Sequence, residues 1–487
     1  MLFLGYDYIH LLSILAFSPL LGALFLLQAR EERNIQNCTL WVNIFTLLIA
    51  IFAVWILDFP INGFDLVERV PWLAYGSVNY HLGVDNLSVV MVLLVSGIFP
   101  AITLASFNNP NGGRVRMMSL LSLEGCLLLA ICAMDIIVLF IAFVGAYLCF
   151  LALIKTSRHT LKRRSLLQLA IGLVILFASL LRIADQTGSF SFEIVRYETA
   201  NVPFERNIIF AAMLSLLSLA YPLGYIKQAF EKKEPDFSIM DFVCTTPMFI
   251  GRVYLIYRLF PLVQCPECRV CLYALFAILF ISLYRFRELA VFSESNASQF
   301  SQFPTNEAAS ERFRTSALCL ERIVVSFVLI DLLIDVPPKS IHLLINYTLA
   351  ITCIYLALRC RFNPKRNMFA LSALILLCTG FPCWSYISTL QKIIMQNAWF
   401  VGMAYLVGMF LFIGIMCNFM MKVGYVEDLL KLNVGPEQRD IRAYVIPVCM
   451  FVLSAGSLMT LNAYPYILPS PIDFFVNSNL TTENEKT

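Results

Sequence analysis

Long apolar runs recur along the whole sequence and constrain its fold more than any other feature. A helix needs roughly 17–25 mainly apolar residues to cross about 30 Å of hydrocarbon, and about fourteen stretches of the chain meet that length. These stretches lie near 9–28, 40–57, 86–106, 118–134, 135–154, 165–183, 208–226, 238–260, 270–284, 315–334, 341–358, 367–386, 396–421 and 443–463. The sequence therefore predicts an all-α, polytopic membrane protein with about 14 transmembrane helices.

The composition and the placement of charge agree with this prediction. Hydrophobic residues make up 59% of the chain and charged residues 14%, whereas soluble domains average about 45–50% and 25%. Most of the 35 Lys and Arg residues lie in connections that follow odd-numbered spans, such as 155–164 and 285–314. The positive-inside rule then predicts that these connections face the cytoplasm and that both termini face outward. Because the basic residues flank the membrane and form no single patch, nucleic acid is not an expected partner.

Soluble-enzyme and metal motifs are absent from the sequence. There is no Gly-rich phosphate loop, metalloprotease helix or nucleophile elbow. The four histidines are scattered and are interpreted as structural: His10, His81, His159 and His342. One short connection, CPECRVC, contains Cys265, Cys268 and Cys271. It lacks the fourth cysteine of an iron–sulfur run, so a disulfide or free thiols is the preferred interpretation. We expect no metal and no cofactor.

Ionisable residues inside the apolar runs are the strongest functional signal. A charge at the centre of a membrane helix costs about 2.5–3.5 kcal/mol on insertion scales, so its retention indicates an ion pathway or a proton relay. The residues of this kind within or near the spans are Glu124, Asp135, Arg252, Glu321, Arg322, Asp331 and Asp335. Glu321 and Arg322 have a second interpretation, in which they lie at the membrane interface and snorkel toward water.

The run LEGCLLLAICAMDIIVLFIAFV, residues 123 to 144, contains two of these carboxylates. Asp135 either begins a helix, where an acidic residue suits the helix dipole, or belongs to a relay. Glu124 stands deeper in its span and must be protonated, paired with a cation, or both at different moments. A proton relay needs such a residue, and so does a static hydrogen bond between helices.

Several stretches share a pattern with one family of membrane proteins. The segment YHLGVDNLS, residues 80–88, resembles Y-x-x-G-[IV]-D-G-L-S, with Asn86 at the position of the second Gly. Glu124 and Asp135 match an E-G followed after about eleven residues by Asp. The closing segment 440–468 and the first span also fit. On these motifs the chain resembles the antiporter-like membrane subunits of respiratory complex I, subunit M of bacterial NADH:quinone oxidoreductase among them. The matched third-span positions are Gly83, Asp85, Leu87 and Ser88.

The resemblance implies an antiporter-like fold, a function and a set of partners. Its two inverted repeats of five helices would each contain a broken helix, and charged residues along the bilayer midplane would carry protons. The implied units are 1–117 (spans 1–3), 118–263 (first repeat), 264–421 (second repeat) and 422–487 (last span and tail). Such a subunit assembles with other complex I membrane-arm subunits in a bacterial inner membrane. It takes part in proton translocation coupled to NADH oxidation, and binds neither NADH nor quinone by itself.

The sequence departs from the family at several positions of the implied proton path. Val144 stands where the family has its fifth-span Glu, and apolar residues occupy 217–220, where it has a Lys. Arg252 is the nearest cation to the eighth-span Lys, and Arg287 takes the ninth-span Lys position. In the twelfth span, Gly380 and Pro382 are kept, and Leu390 replaces a Glu.

These departures leave three hypotheses for the function. The first is a diverged membrane-arm subunit of a complex I-type assembly, with Glu124, Asp135, Arg252 and Arg287 as candidate proton-path residues. The second is a subunit of a multisubunit cation/proton antiporter, because related motifs occur there. The third is a non-conducting structural paralogue, since replacing both members of a buried charge pair is what coordinated loss of the path looks like.

Overall fold

The computed structural model describes 10–29, 31–57, 64–72, 78–106, 113–156, 163–192, 194–195, 247–263, 269–295, 322–330, 403–408 and several single positions up to 414. The following residues singled out in the sequence lie outside this described part: His159, 217–220, Cys265, Cys268, Glu321, Asp331, Asp335, His342, Gly380, Pro382 and Leu390.

Helices dominate the described part of the chain. Their bounds are α1 Leu11–Phe25, α2 Glu32–Ile56, α3 Asn86–Ser106, α4 Arg114–Cys132, α5 Ile136–Thr156, α6 Arg163–Thr187, α7 Pro247–Val263 and α8 Arg269–Ser295. Five of them, α2 to α6, are long and apolar enough to cross a membrane. The prediction of a mainly helical, multi-pass membrane protein is therefore confirmed in outline.

Helices α2 and α8 extend beyond their predicted bounds. Helix α2 begins at Glu32, about two turns before the predicted apolar run at 40, because its polar first turns continue the helix outside the hydrocarbon. Helix α8 begins at Arg269 and continues to Ser295, past the predicted end at 284. Cys271 therefore lies in a helix, and the prediction that it belongs to a connecting loop is wrong.

A two-stranded antiparallel sheet corrects the all-α prediction. Strands β1 (Asp65–Pro71) and β2 (Asn79–Val84) pair between α2 and α3, with Arg69 opposite His81 and Val70 opposite Tyr80. Both strands are short and are separated from the long apolar runs, so a search for membrane helices passes over them.

Helix α4 lies at the centre of the described helices. It packs against α1, α3 and α5, and most of its side chains are buried. Helix α2 instead exposes large apolar side chains, with Trp41 70% and Trp55 80% exposed. Because no water reaches the hydrocarbon, such a face suits lipid or a neighbouring membrane subunit.

One membrane end is closed by backbone segments from three connections. The amide of Met134, between α4 and α5, donates to the carbonyl of His81 at 2.9 Å, and the amide of Phe192 donates to the carbonyl of Met134 at 3.0 Å. The backbone of Asp135 also forms an isolated antiparallel β-bridge with the backbone of Ser191. We call this end, formed by β1, β2, 133–135 and 189–192, the hairpin end.

Candidate functional site

Glu124 is a fully buried carboxylate in the described core. Its side chain is 0% exposed on α4, and neither carboxylate oxygen has a hydrogen-bond partner among the residues that the structure describes. A buried polar group without a partner costs free energy, so natural proteins keep one only where something else depends on it. A carboxylate in this setting is compatible with the proton-relay role that the motif predicts for Glu124.

The surroundings of Glu124 are apolar toward the hairpin end. Leu127, one turn further along α4, is buried. A Cβ added to Gly251 of α7 would lie 2.7 Å from Cδ2 of Leu127 and 3.6 Å from Cε2 of Phe143. Helices α4, α5 and α7 therefore meet here with no room for one further methyl group.

Arg252 is the candidate cation next to this contact. It is 6% exposed, its Nε donates to the carbonyl of Met248 at 3.3 Å, and its guanidinium lies 6.0 Å from the ring centroid of Phe249. No hydrogen bond joins it to Glu124, whose oxygens have no partner in the described part of the chain. Glu124 and Arg252 are thus both buried, and no hydrogen bond joins one to the other.

Two other predicted positions, Val144 and Arg287, supply no hydrogen-bond partner to Glu124. Val144 lies half-buried on α5 beside the buried Phe143, and its side chain cannot bind a proton. Arg287 is exposed on α8, so it lies apart from the buried residues that surround Glu124. Arg322, for which the interface was the alternative interpretation, is half-buried.

Asp135 caps the start of α5. Its Oδ1 accepts a hydrogen bond from the amide of Ile137 at 2.8 Å, and its backbone carbonyl accepts from the amide of Leu139 at 3.0 Å. These are the bonds of an N-cap residue. Burial raises the pKa of this carboxyl above its usual 3.8, and the backbone donors of Ile137, Asn79 and Val138 oppose the rise. The geometry matches the helix-start interpretation.

A polar cluster at the hairpin end joins three helices. Oδ1 of Asp85 accepts from the amide of Ser88 at 2.8 Å and so caps α3, and its Oδ2 accepts from Nη1 of Arg258 on α7 at 2.9 Å. The hydroxyls of Ser88 and Tyr254 are 3.1 Å apart, and Tyr254 donates to the carbonyl of Ile131 on α4 at 2.5 Å.

Arg258 is the charged residue of this cluster that the sequence reasoning missed. Its side chain is 10% exposed, and its guanidinium lies 4.8 Å from the ring centroid of Phe64 and 5.4 Å from that of Phe192. Arg258 stands near the end of an apolar run, where a cation is ordinarily interpreted as snorkelling. The available signal was its position at the same membrane end as the motif residue Asp85.

The described residues contain no group of three His, Cys, Asp or Glu side chains that could hold a metal ion. The chemistry that remains concerns the buried Glu124, the buried Arg252 and the Asp85–Arg258 ion pair at a membrane end. Together with the apolar helices, these features define a multi-pass membrane protein with ionisable groups inside its helix bundle.

Comparison with solved structures shows the fold. The chain superposes on a chain of respiratory complex I from Thermus thermophilus with bound NADH with a TM-score of 0.66 and 15% identity, covering 92% of this chain and 99% of that one. A chain of the membrane-bound sulfane sulfur reductase, an archaeal respiratory membrane complex, gives 0.64 and 13%, covering 92% and 76%. The chain therefore shares its fold with these two chains.

Sequence comparison confirms the family resemblance. The chain is 29% identical over 136 residues to NADH-ubiquinone oxidoreductase chain 4 of Marchantia polymorpha, covering 27% of each protein. It is 25% identical over 140 residues to NADH-quinone oxidoreductase subunit M of Rhodobacter capsulatus, covering 28% of this chain and 27% of that one. With NAD(P)H-quinone oxidoreductase chain 4 2 of Thermosynechococcus vestitus the identity is 24% over 220 residues, covering 44% and 41%. The chain thus spans less than half the length of these curated relatives, and no family profile matches it.

Proposed function

We propose that this chain is a diverged membrane-arm subunit of a complex I-type respiratory assembly, associated with proton translocation coupled to electron transport. The observation that carries the proposal is Glu124, which is 0% exposed, has no hydrogen-bond partner among the described residues and stands at the position of the family's fourth-span Glu. A soluble or purely structural helix gains nothing from such a group. The partners of the chain are then other membrane-arm subunits, the lipid bilayer and protons.

The architecture that goes with this function has fourteen spans and two inverted repeats. Its units are 1–117, 118–263, 264–421 and 422–487, in a bacterial inner membrane with both termini on the outer face. Asp85, Asp135 and Arg258 support the alternation of spans, because they follow or end the second, fourth and eighth predicted spans and all lie at the hairpin end. The basic connections support an outward-facing hairpin end.

The proton path has a gap beside Glu124. In the family the fifth-span Glu is the next acid, and Val144 stands there on α5. Arg252 is buried on α7, next in the chain to the Gly251 that meets Leu127 and Phe143, and Arg287 is exposed on α8. We therefore keep Glu124 as the principal proton-binding residue, Asp135, Arg252 and Arg287 as accessory candidates, and a non-conducting subunit as the second candidate function, which Val144 favours.

A paired substitution in the assembled complex tests the proposal. Proton pumping is measured in membrane vesicles as protons moved per NADH oxidised, after native gels establish that the chain migrates with NADH dehydrogenase activity. We expect Glu124→Gln to lower pumping, because the amide keeps the size of the side chain and cannot carry a proton. Val144→Glu is the matched variant, since it restores the acid that the family has; it should raise pumping above wild type.

The outcomes separate the two candidate functions. Unchanged pumping in Glu124→Gln, with the chain in the complex and no gain from Val144→Glu, would assign the chain a non-conducting role. A chain that never migrates with NADH dehydrogenase activity would contradict the membrane-arm proposal itself. Ser179→Ala on α6 serves as the neutral control, because its hydroxyl bonds only to the carbonyl of Ile175 within its own helix.

A further inference from the structure

The residues that join α7 to α3 and α4 lie along one face of α7. Gly251, Tyr254 and Arg258 follow one another at helical spacings of three and four, so they project on the same side of the helix. Gly251 meets Leu127 on α4, Tyr254 bonds to Ile131 on α4, and Arg258 pairs with Asp85 at the start of α3.

The contacts change character along this face. At the hairpin end, the Asp85 side chain is 21% exposed and the Arg258 side chain 10%, whereas Ser88 and Tyr254 deeper in the bundle are 0% and 1% exposed. Beyond Ile131, two helical turns or about 10 Å separate that residue from Glu124. The α4 face that points to α7 in this interval carries Leu127, which is sealed against Gly251 and Phe143.

We infer that these side chains form a latch that closes the route between the hairpin end and Glu124. The Asp85–Arg258 ion pair and the Ser88–Tyr254–Ile131 hydrogen bonds hold α7 in place, and the Leu127–Gly251–Phe143 contact is the apolar seal that excludes water. Because one helix face carries all three contacts, a small rotation of α7 would release them together. Apolar constrictions of this kind gate membrane pathways by excluding water. The inference rests on the proposed function, in which Glu124 exchanges a proton with water.

Asp85 offers a substitution that separates the latch from local helix capping. One of its oxygens caps α3 and the other receives Arg258. Asparagine is as good an N-cap as aspartate but carries no charge, so Asp85→Asn keeps the cap and removes the ion pair. Arg258→Gln removes the other partner, and Arg258→Lys keeps the positive charge.

The test measures whether water-borne reagents reach Glu124. Membranes that contain the full chain in its native assembly are treated with a water-soluble carbodiimide and an amine, and labelling of the Glu124 peptide is measured by mass spectrometry. Wild type should be unlabelled at Glu124. Labelling should rise about tenfold in Asp85→Asn and in Arg258→Gln, the population change that the loss of one charge-assisted hydrogen bond gives. Arg258→Lys should restore the wild-type level.

A matched control separates the latch from general loosening of the hairpin end. Glu68→Gln weakens another buried carboxylate contact at this end, between β1 and α1, and leaves the α7 contacts in place. It should not expose Glu124. Equal labelling in Glu68→Gln, or an unlabelled Glu124 in both latch variants, would overturn the inference. The labelling does not depend on pumping, so a Glu124→Gln variant with normal pumping would refute the proposed function separately.

Discussion

The carboxylate of Glu68 on β1 accepts a hydrogen bond of 2.7 Å from the backbone nitrogen of Leu12, in the first turn of α1. The amide of Ser13 donates to the same carboxylate, and so does the Ser13 hydroxyl, which also lies 2.9 Å from the hydroxyl of Tyr80. His10, at the N-cap position of α1, makes no capping hydrogen bond with its side chain. The hairpin therefore caps a helix that precedes it by more than fifty residues.

Removal of this cap should destabilise the protein measurably. Glu68→Ala leaves the first-turn amides of α1 without their acceptor, and the loss of a helix cap costs about 1–2 kcal/mol. The melting temperature of the detergent-solubilised protein measures the effect. Glu31→Ala is the control, because among the described residues that carboxylate accepts a hydrogen bond only from Asn34, on the exposed surface. It should leave the melting temperature unchanged. An equal shift in both variants would contradict a capping role.

The third-span motif residue Gly83 is predicted to tolerate no side chain. A Cβ at this position would clash with Sδ of Met134, which is itself buried. Gly83→Ala should cost about 1–3 kcal/mol of folding free energy, because overpacking forces a neighbour to move. The double variant with Met134→Ala should recover part of that loss. Additive losses in the double variant, measured by the same melting assay, would show that the close approach is not the cause.

Hydropathy predicted most of the described spans because apolar length is a local property. The predicted run 86–106 coincides with α3, Asn86–Ser106, and α4 and α5 begin or end within a few residues of prediction. The β1–β2 hairpin was missed because its strands are short and lie outside the apolar runs, and its contact with α1 joins residues that are far apart along the chain. Arg258 was missed for the same reason, since only the folded bundle brings it to Asp85.

The buried acid illustrates what sequence reasoning could and could not supply. The motif and the apolar run predicted that Glu124 would be a buried carboxylate, which the fold agrees with. The sequence left open whether Arg252 would neutralise Glu124, because the two residues lie on different helices and their distance is not fixed until the helices pack. The structure buries both and joins them by no hydrogen bond.

His81 should make the stability of the hairpin end depend on pH. Burial lowers the pKa of this imidazole below its usual 6.5, and the positive charge of Arg69 on the paired strand lowers it further. Below pH 6.5 His81 binds a proton more readily in the unfolded chain than in the folded chain. Stability therefore falls as pH drops from 6.5 toward the pKa of His81 in the folded chain. His81→Gln should flatten this part of the stability profile between pH 7 and about 5. If the unfolding free energy of His81→Gln changes with pH as it does in wild type, His81 is not the group that makes stability depend on pH.

Asp135 should stabilise α5 as a helix cap, whereas its negative charge should lower the stability of the folded chain. Because its pKa is raised by burial, the folded chain binds a proton more readily than the unfolded chain between pH 3.8 and the folded pKa. Stability therefore falls as pH rises through that interval, and the ionised carboxyl is disfavoured at neutral pH. Asp135→Asn keeps the acceptor for the amide of Ile137 and removes the charge, so at pH 7 it should be at least as stable as wild type. Asp135→Ala loses the cap and should cost about 1 kcal/mol.

Proton pumping in the same two variants decides between the interpretations of Asp135. A cap acts through its acceptor oxygen, so the pumping of Asp135→Asn should match wild type while Asp135→Ala loses stability. A relay acts through its titratable proton, so Asp135→Asn would lower pumping even though its fold is as stable as wild type. The hydrogen bonds from Ile137 and Leu139 to Asp135 lead us to expect the first result. Reduced pumping in a stable Asp135→Asn complex would return Asp135 to the proton path beside Glu124.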